Sequence, residues 1–361
     1  MKKSKQIAWI NYARCAAVFS IVLCHAAEEL YGAAMKGEKV FGPYRWTGFT
    51  ILFLLGRLGV PVFLGLTGTL MLGKQTDAPA FYRRTLLPLI VSSEIWIVVE
   101  YFQAWSIRGD AFSFRDLIRQ VLFIDAGAFG YLWYIPMIIG VYLVLPFLSR
   151  VTQNMTSPKE MRLILSLSFL YFLVLPEVNE FILYFTGQES YLSLQLEMKF
   201  WGGVYGLYLI LGYFIGKHEL LDGMSDRMLL ISWGAVFVLN FLAQFILNQF
   251  GARRSTQVVQ YNMVGIFLAG MLTFEGLRRL FRDRKTTSVW VRFISSASFG
   301  IYLIHRPIQI ILNRHVIPKQ LNPLVRSLMM FVISMALSIG IIYFVSRISK
   351  KAAKILFYYR T

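Results

Sequence analysis

Charge is scarce in this sequence. Only 16% of its 361 residues are charged and 57% are hydrophobic, whereas a soluble domain carries about 25% charged residues. Mean hydropathy is +0.56. No hydrophilic stretch is long enough for a separate soluble domain, so the chain reads as one membrane-embedded unit, residues 1–361. Cysteine is nearly absent too: Cys15 and Cys24 are the only two. They lie in one apolar segment, about 13 Å apart along a helix, too far for a disulfide. With His25 they make no zinc spacing, so no metal is expected. Acidic residues are also few, 19 against 37 basic ones, for a net charge of +18. No basic face is interleaved with stacking aromatics, so nucleic acid is not the expected partner. The excess positive charge fits the cytoplasmic loops of a membrane protein instead.

Apolar runs of spanning length recur from end to end. About ten transmembrane helices are expected: Ile7–Ala27, Thr47–Leu72, Thr85–Ile107, Tyr131–Leu148, Met161–Phe185, Phe200–Gly216, Met228–Phe250, Tyr261–Leu280, Phe293–Leu312 and Ser327–Ile348, the last followed by a basic tail. The fold class is therefore all-α and polytopic. Phe114–Phe123 is an amphipathic stretch suited to a membrane surface. The first helix follows Lys2, Lys3 and Lys5 but holds Asn11 and Arg14 and lacks a small-residue cleavage site, so it is expected to be retained. One set of loops and ends contains Lys2/Lys3/Lys5, Lys74/Arg83/Arg84, Arg150/Lys159/Arg162, Lys217/Arg227, Arg278–Arg292 and Arg347–Arg360. It outnumbers the opposite set of Lys36/Lys39/Arg45, Arg108/Arg115/Arg119, Lys199, Arg253/Arg254 and Arg314/Lys319/Arg326. Both termini are thus expected in the cytoplasm. No repeat relates the two halves, which argues against an inverted-repeat transporter.

Ionisable groups inside a membrane are costly and mark function. Asn11, Arg14, Val18 and His25 share a face of the first helix, with Arg14 and His25 about 16 Å apart along its axis. Snorkelling of Arg14 and an interfacial His25 are the bland alternative. Arg57 sits near mid-membrane and needs an anion or a wet cavity; Gly65, Thr67 and Gly68 after it permit close helix packing. Ser295, Ser298, Tyr302, His305 and Gln309 form a helical stripe, either catalytic or a hydrogen-bonded seam. Glu94 and Glu100 are candidate counter-charges for a buried arginine, while Glu275 reads as interfacial.

Five segments, in order, resemble the acyltransferase 3 family of integral membrane acyltransferases. They are Asn11–Tyr12–Ala13–Arg14 with His25; Arg57–Leu58–Gly59–Val60–Pro61 running to Thr67–Gly68, with Thr67 where serine is usual; and Phe81–Tyr82–Arg83–Arg84 with Leu87–Pro88. Leu132–Trp133–Tyr134 running to Tyr142 and Pro146, and Ser298–Phe299–Gly300–Ile301–Tyr302–Leu303–Ile304–His305, complete the set. The family often has a third arginine where this chain has Leu87. The chain is similar to stand-alone enzymes that decorate bacterial surface polysaccharides.

The resemblance implies a multi-pass protein of the bacterial plasma membrane. Its donor would be acyl-CoA, most often acetyl-CoA, reached from the cytoplasm. Its acceptor would be a hydroxyl of a carbohydrate or lipid-linked sugar. Arg83 and Arg84 suit the donor's phosphates, with Arg14 deeper along its arm. His25 is the expected general base, oriented by Glu28 or Glu29. Arg57 and the Ser298/Tyr302/His305 stripe would hold the oxyanion or the acceptor, and Trp133 and Tyr134 would face a sugar ring. An acyl-enzyme through Ser, Cys24 or His305 stays open, as does a polysaccharide exporter without chemistry.

Overall fold

The computed structural model describes residues 2–35, 43–74, 76–109, 111–124, 131–154, 157–187, 203–249 and 258–359, and among them there is no β-strand. In chain order the helices are α1 Lys2–Met35, α2 Pro43–Arg57, α3 Gly59–Met71, α4 Ala78–Phe81, α5 Leu87–Gln103, α6 Phe114–Val121, α7 Tyr134–Asn154 and α8 Pro158–Phe169. There follow α9 Leu175–Thr186, α10 Gly203–His218, α11 Asp226–Gln249, α12 Val264–Phe281, α13 Val289–Ile311, α14 Pro323–Ile348 and α15 Lys350–Phe357. Lys36, Lys39, Lys199, Arg253, Arg254 and Arg360, used above to assign the loops, lie outside the described residues. So do the side chains of Glu29 and Arg108.

Among the described residues, seven spans are long and apolar enough to cross a membrane: Ala8–Glu28, Arg45–Met71, Ala78–Ser106, Tyr134–Asn154, Met161–Thr186, Asp226–Leu247 and Pro323–Ile348. The chain is a multi-pass membrane protein. Three expected spans exist as helices but fall short of that measure. Helix α10 has 16 residues, α12 carries Glu275, Arg278 and Arg279, and α13 is diluted by its serines, Arg292, His305 and Arg306. All three pack against central helices, where polar side chains meet protein rather than lipid.

Burial separates centre from rim. The window of Arg45–Met71 is 78% buried, that of Met161–Thr186 only 11%. Helix α1 packs on α2, α3, α12, α13 and α14, and α3 packs on α10. At that last contact a Cβ on Gly68 would strike the Leu209 carbonyl and one on Gly212 the Gly65 backbone, so only glycine lets the two backbones approach. Thr69 Oγ1 donates to Gly212 O at 2.7 Å across the seam.

Prolines explain the interruptions. Pro61 has no N–H for the Arg57 carbonyl, and the span breaks at Leu58, leaving Arg57 at the joint. Wider π-type turns at Tyr82–Leu86 and Leu170–Val174 precede Pro88 and Pro176, relieving the clash of each ring with the carbonyl four residues back. The surface stretch forms α6, with Phe114, Ile118 and Leu122 exposed.

The basic residues after Ile348 form a helix of their own. Ser349 Oγ caps α15 by accepting from Ala352 N, and α15 docks beneath α5: Ser92 Oγ donates to Ile355 O at 2.6 Å and Trp96 Nε1 to Leu356 O at 2.8 Å. Buried Ala353 and Phe357 drive that docking. Glu275, expected near the interface, is fully buried within the protein. It accepts from Arg278 Nε at 2.7 Å and from Arg279 Nε at 2.5 Å. Asp222 and Asp226 pair with the same two arginines, because two adjacent guanidinium groups need more than one carboxylate.

Candidate active site

His25 lies in the last third of α1 with Glu28 one turn on. Its Nδ1 is 2.8 Å from Glu28 Oε2. An ionised carboxylate only accepts, so Nδ1 carries the hydrogen and Nε2 keeps its lone pair. Helix α13 brings His305 beside it, with ring centroids 5.2 Å apart. His305 Nδ1 lies 2.6 Å from Tyr302 O and 3.1 Å from Ile301 O. That nitrogen is therefore the donor, and its Nε2 is buried with no partner among the described residues. Two imidazoles thus share one cluster, each with its Nδ1 engaged and, among the described residues, no partner shown for its Nε2, although α1 and α13 are far apart in sequence.

Tyr131 closes the cluster, its ring 5.8 Å from His25 and 5.6 Å from His305. Its hydroxyl donates to Glu100 Oε1 at 2.8 Å, with Leu303 O a second acceptor at 3.3 Å. That carbonyl is free because Pro307, four residues on, has no N–H. Tyr302 donates its hydroxyl to Tyr131 O at 2.8 Å. Arg306 Nη1 donates to His25 O at 3.2 Å, which ties the end of α13 to α1. Gln309 Nε2 adds a bond to Val22 O at 3.2 Å.

Arg57 stands in an aromatic nest, its guanidinium 4.5 Å from the Phe53 ring and 4.8 Å from the Tyr261 ring. Its Nε hydrogen has no partner among the described residues. Trp133 continues the nest, 5.2 Å from Tyr261 and 5.5 Å from Tyr205. Arg57 and Arg306 both act electrostatically on the Glu28 carboxylate, so nest and histidine cluster share one field.

A cavity of about 180 Å³ opens on the other side of Tyr302, lined among others by Arg14, Thr67, Thr85, Tyr134, Ser298 and Tyr302. Tyr302 separates it from the histidines, its ring 6.0 Å from that of His305. The structure thus divides the residues singled out in the sequence. Arg14, Tyr134, Ser298 and Tyr302 meet in the cavity, His25 and His305 in the cluster, and Arg57 and Trp133 in the nest. Arg83 and Arg84 are exposed on the wide turn before Pro88, next to Thr85 of the cavity wall. Of the two carboxylates proposed to orient His25, Glu28 does so.

A family model described as an acyltransferase domain, acyltransferase 3, matches residues 7–347. The chain belongs to this family. The match runs from within α1 to the last turn of α14 and leaves out α15. No curated protein and no solved structure matches the chain. Within this acyltransferase, Tyr131, Arg306, Tyr205 and Tyr261 stand beside the candidate residues without having been given a role from the sequence. Pro307 directly after Arg306 was the available signal for a freed carbonyl near His305. Tyr205 and Tyr261 carried none, since a tyrosine among apolar residues looks the same in a core and in a site. Among the described residues, no three His, Cys, Asp or Glu side chains gather as a metal site.

Proposed function

We propose that this membrane acyltransferase moves an acyl group, acetyl in the first instance, from cytoplasmic acyl-CoA to a hydroxyl of a surface polysaccharide or lipid-linked sugar in the bacterial plasma membrane. Ten helices with both termini in the cytoplasm form its frame. The pairing of His25 and His305, across Tyr302 from the cavity that Arg14 lines, carries the reading.

In the proposed reaction the donor's phosphates meet Arg83 and Arg84, and its arm passes Arg14 through the cavity toward Tyr302. His25 Nε2 takes the proton from the acceptor hydroxyl. The oxygen attacks the thioester carbonyl, and the unspent Nε–H of Arg57 stabilises the negative charge that develops. Collapse breaks the C–S bond, and the leaving thiolate takes the proton from His25, giving ester and coenzyme A. Glu28 holds the tautomer and favours the imidazolium. His305 Nε2 accepts a hydrogen bond from the acceptor, and Trp133 with Tyr205 and Tyr261 offers flat faces to a sugar ring. A polysaccharide exporter has no need of two paired imidazoles beside such a cavity.

The test is coenzyme A release and acyl transfer from radiolabelled acetyl-CoA by purified protein in nanodiscs. Release above background that His25→Ala and Arg14→Ala both abolish, in protein that still folds, supports the reading. Release that survives His25→Ala moves the base to His305. Absence of both release and acetyl-CoA binding leaves export as the better account.

A further inference from the structure

A second chamber, of about 610 Å³, lies where α13 begins and α14 passes into α15. Trp290, Arg292, Tyr343, Arg347, Lys350 and Tyr359 line it, and among the described residues no acidic one does. Among the described residues, none of its three cations has a carboxylate partner. The Arg347 guanidinium rests 5.5 Å from the Tyr343 ring, and the Trp290 ring lies 5.6 Å from it. Trp290 is 58% exposed and Tyr343 38%. Exposed flat rings among uncompensated cations match a ligand with an aromatic base and several phosphate charges.

We propose that this chamber binds the phosphorylated adenosine of the acyl-CoA donor, with the base on Trp290 and Tyr343 and the 3′-phosphate among Arg292, Arg347 and Lys350. The proposal rests on the acyl-CoA reading above and extends it to residues outside the five family segments.

Continuity between the two spaces supports it. Ser296 lines both the chamber and the 180 Å³ cavity. Asn11 on the chamber wall accepts from Ser295 on the cavity wall at 2.8 Å. Consecutive residues Tyr358 and Tyr359 line one space each. Along α13, Arg292 and His305 are about 20 Å apart, so a nucleoside held at one end sends a long, narrow arm past Arg14 to the other. The pyrophosphate in between falls to Arg14 and the Arg83–Arg84 pair.

Cations and aromatics at this depth also suit anionic lipid, so the experiment uses two bilayers. Full-length protein is placed in zwitterionic nanodiscs and titrated with coenzyme A and with adenosine 3′,5′-bisphosphate, which has no arm. The variants are Arg292→Gln/Arg347→Gln, Trp290→Ala and, as a charge control, Lys354→Gln on the exposed face of α15. The changed side chains are exposed, and ligand-free melting checks each fold.

The bisphosphate is expected to bind the wild type and Lys354→Gln alike. It should bind about tenfold or more weakly to the double variant, the loss of charge-assisted phosphate contacts, and also more weakly to Trp290→Ala. Coenzyme A should follow the same order. Coenzyme A bound equally by all four proteins overturns the subsite and leaves the donor reading standing. A wild type that binds no coenzyme A removes the donor reading and the subsite with it. Complete displacement of the bisphosphate in nanodiscs of anionic lipid reassigns the chamber to a lipid headgroup.

Discussion

At His25 the count of donors and acceptors assigns the role. Glu28 accepts the Nδ1 hydrogen, so the reactive lone pair is on Nε2. His305 reaches the same state by another route, giving its Nδ1 hydrogen to the Tyr302 carbonyl. Glu28→Gln should therefore lower kcat about a hundredfold, within the range of general-base catalysis, with acyl-CoA affinity nearly unchanged; steady-state rates beside equilibrium binding check this. His305→Gln should do the same if its Nε2 holds the acceptor. An unchanged kcat in either variant removes that side chain from the reaction. At this scale His25, His305 and Arg57 were legible in the sequence because an ionisable group in an apolar helix announces itself. Tyr131 was not: its part depends on Pro307 freeing the Leu303 carbonyl and on Glu100 arriving from α5.

Among the elements, the α3–α10 seam shows how close packing sets the frame. Gly212→Val would drive a branched side chain into the Gly65 backbone. A loss of about 1–3 kcal/mol is expected from such overpacking, read as a lower melting temperature in detergent. Gly140→Ala in α7, where an added Cβ meets nothing within 4 Å, should leave melting unchanged or raise it slightly. Equal losses in the two would mean that general helix propensity, not the seam, governs stability. Gly65 and Gly68 signalled this contact by their spacing, but the partner helix could not be read, since helix pairing carries no local sequence mark. Helix α15 was missed for a related reason. Its apolar residues Ala352, Ala353, Ile355, Leu356 and Phe357 make too short a run to stand out beside Lys350, Lys351 and Lys354, and only the α5 surface makes some of them a docking face.

Over the whole molecule, basic residues predict the orientation. A cysteine introduced at Lys285 should react only with a reagent applied from the cytoplasmic side, and one at Lys319 only from the outside. The native Cys15 and Cys24 are buried and should stay silent. The opposite pattern would invert the membrane orientation and with it the direction of donor entry. Composition, apolar runs and five short motifs determined by themselves that this is an all-helical, multi-pass acyltransferase. Hydrophobicity over a bilayer's width is a local property, and an ionisable residue within it stands out at once. Tertiary structure alone decided that Ser298 and Tyr302 line the Arg14 cavity while His305, on the same stripe, turns to His25. It also decided that Glu275 anchors a buried ion network and that the basic end of the chain folds into a wall. Each of these depends on which distant helix lies opposite, and that choice is made by packing of the whole bundle.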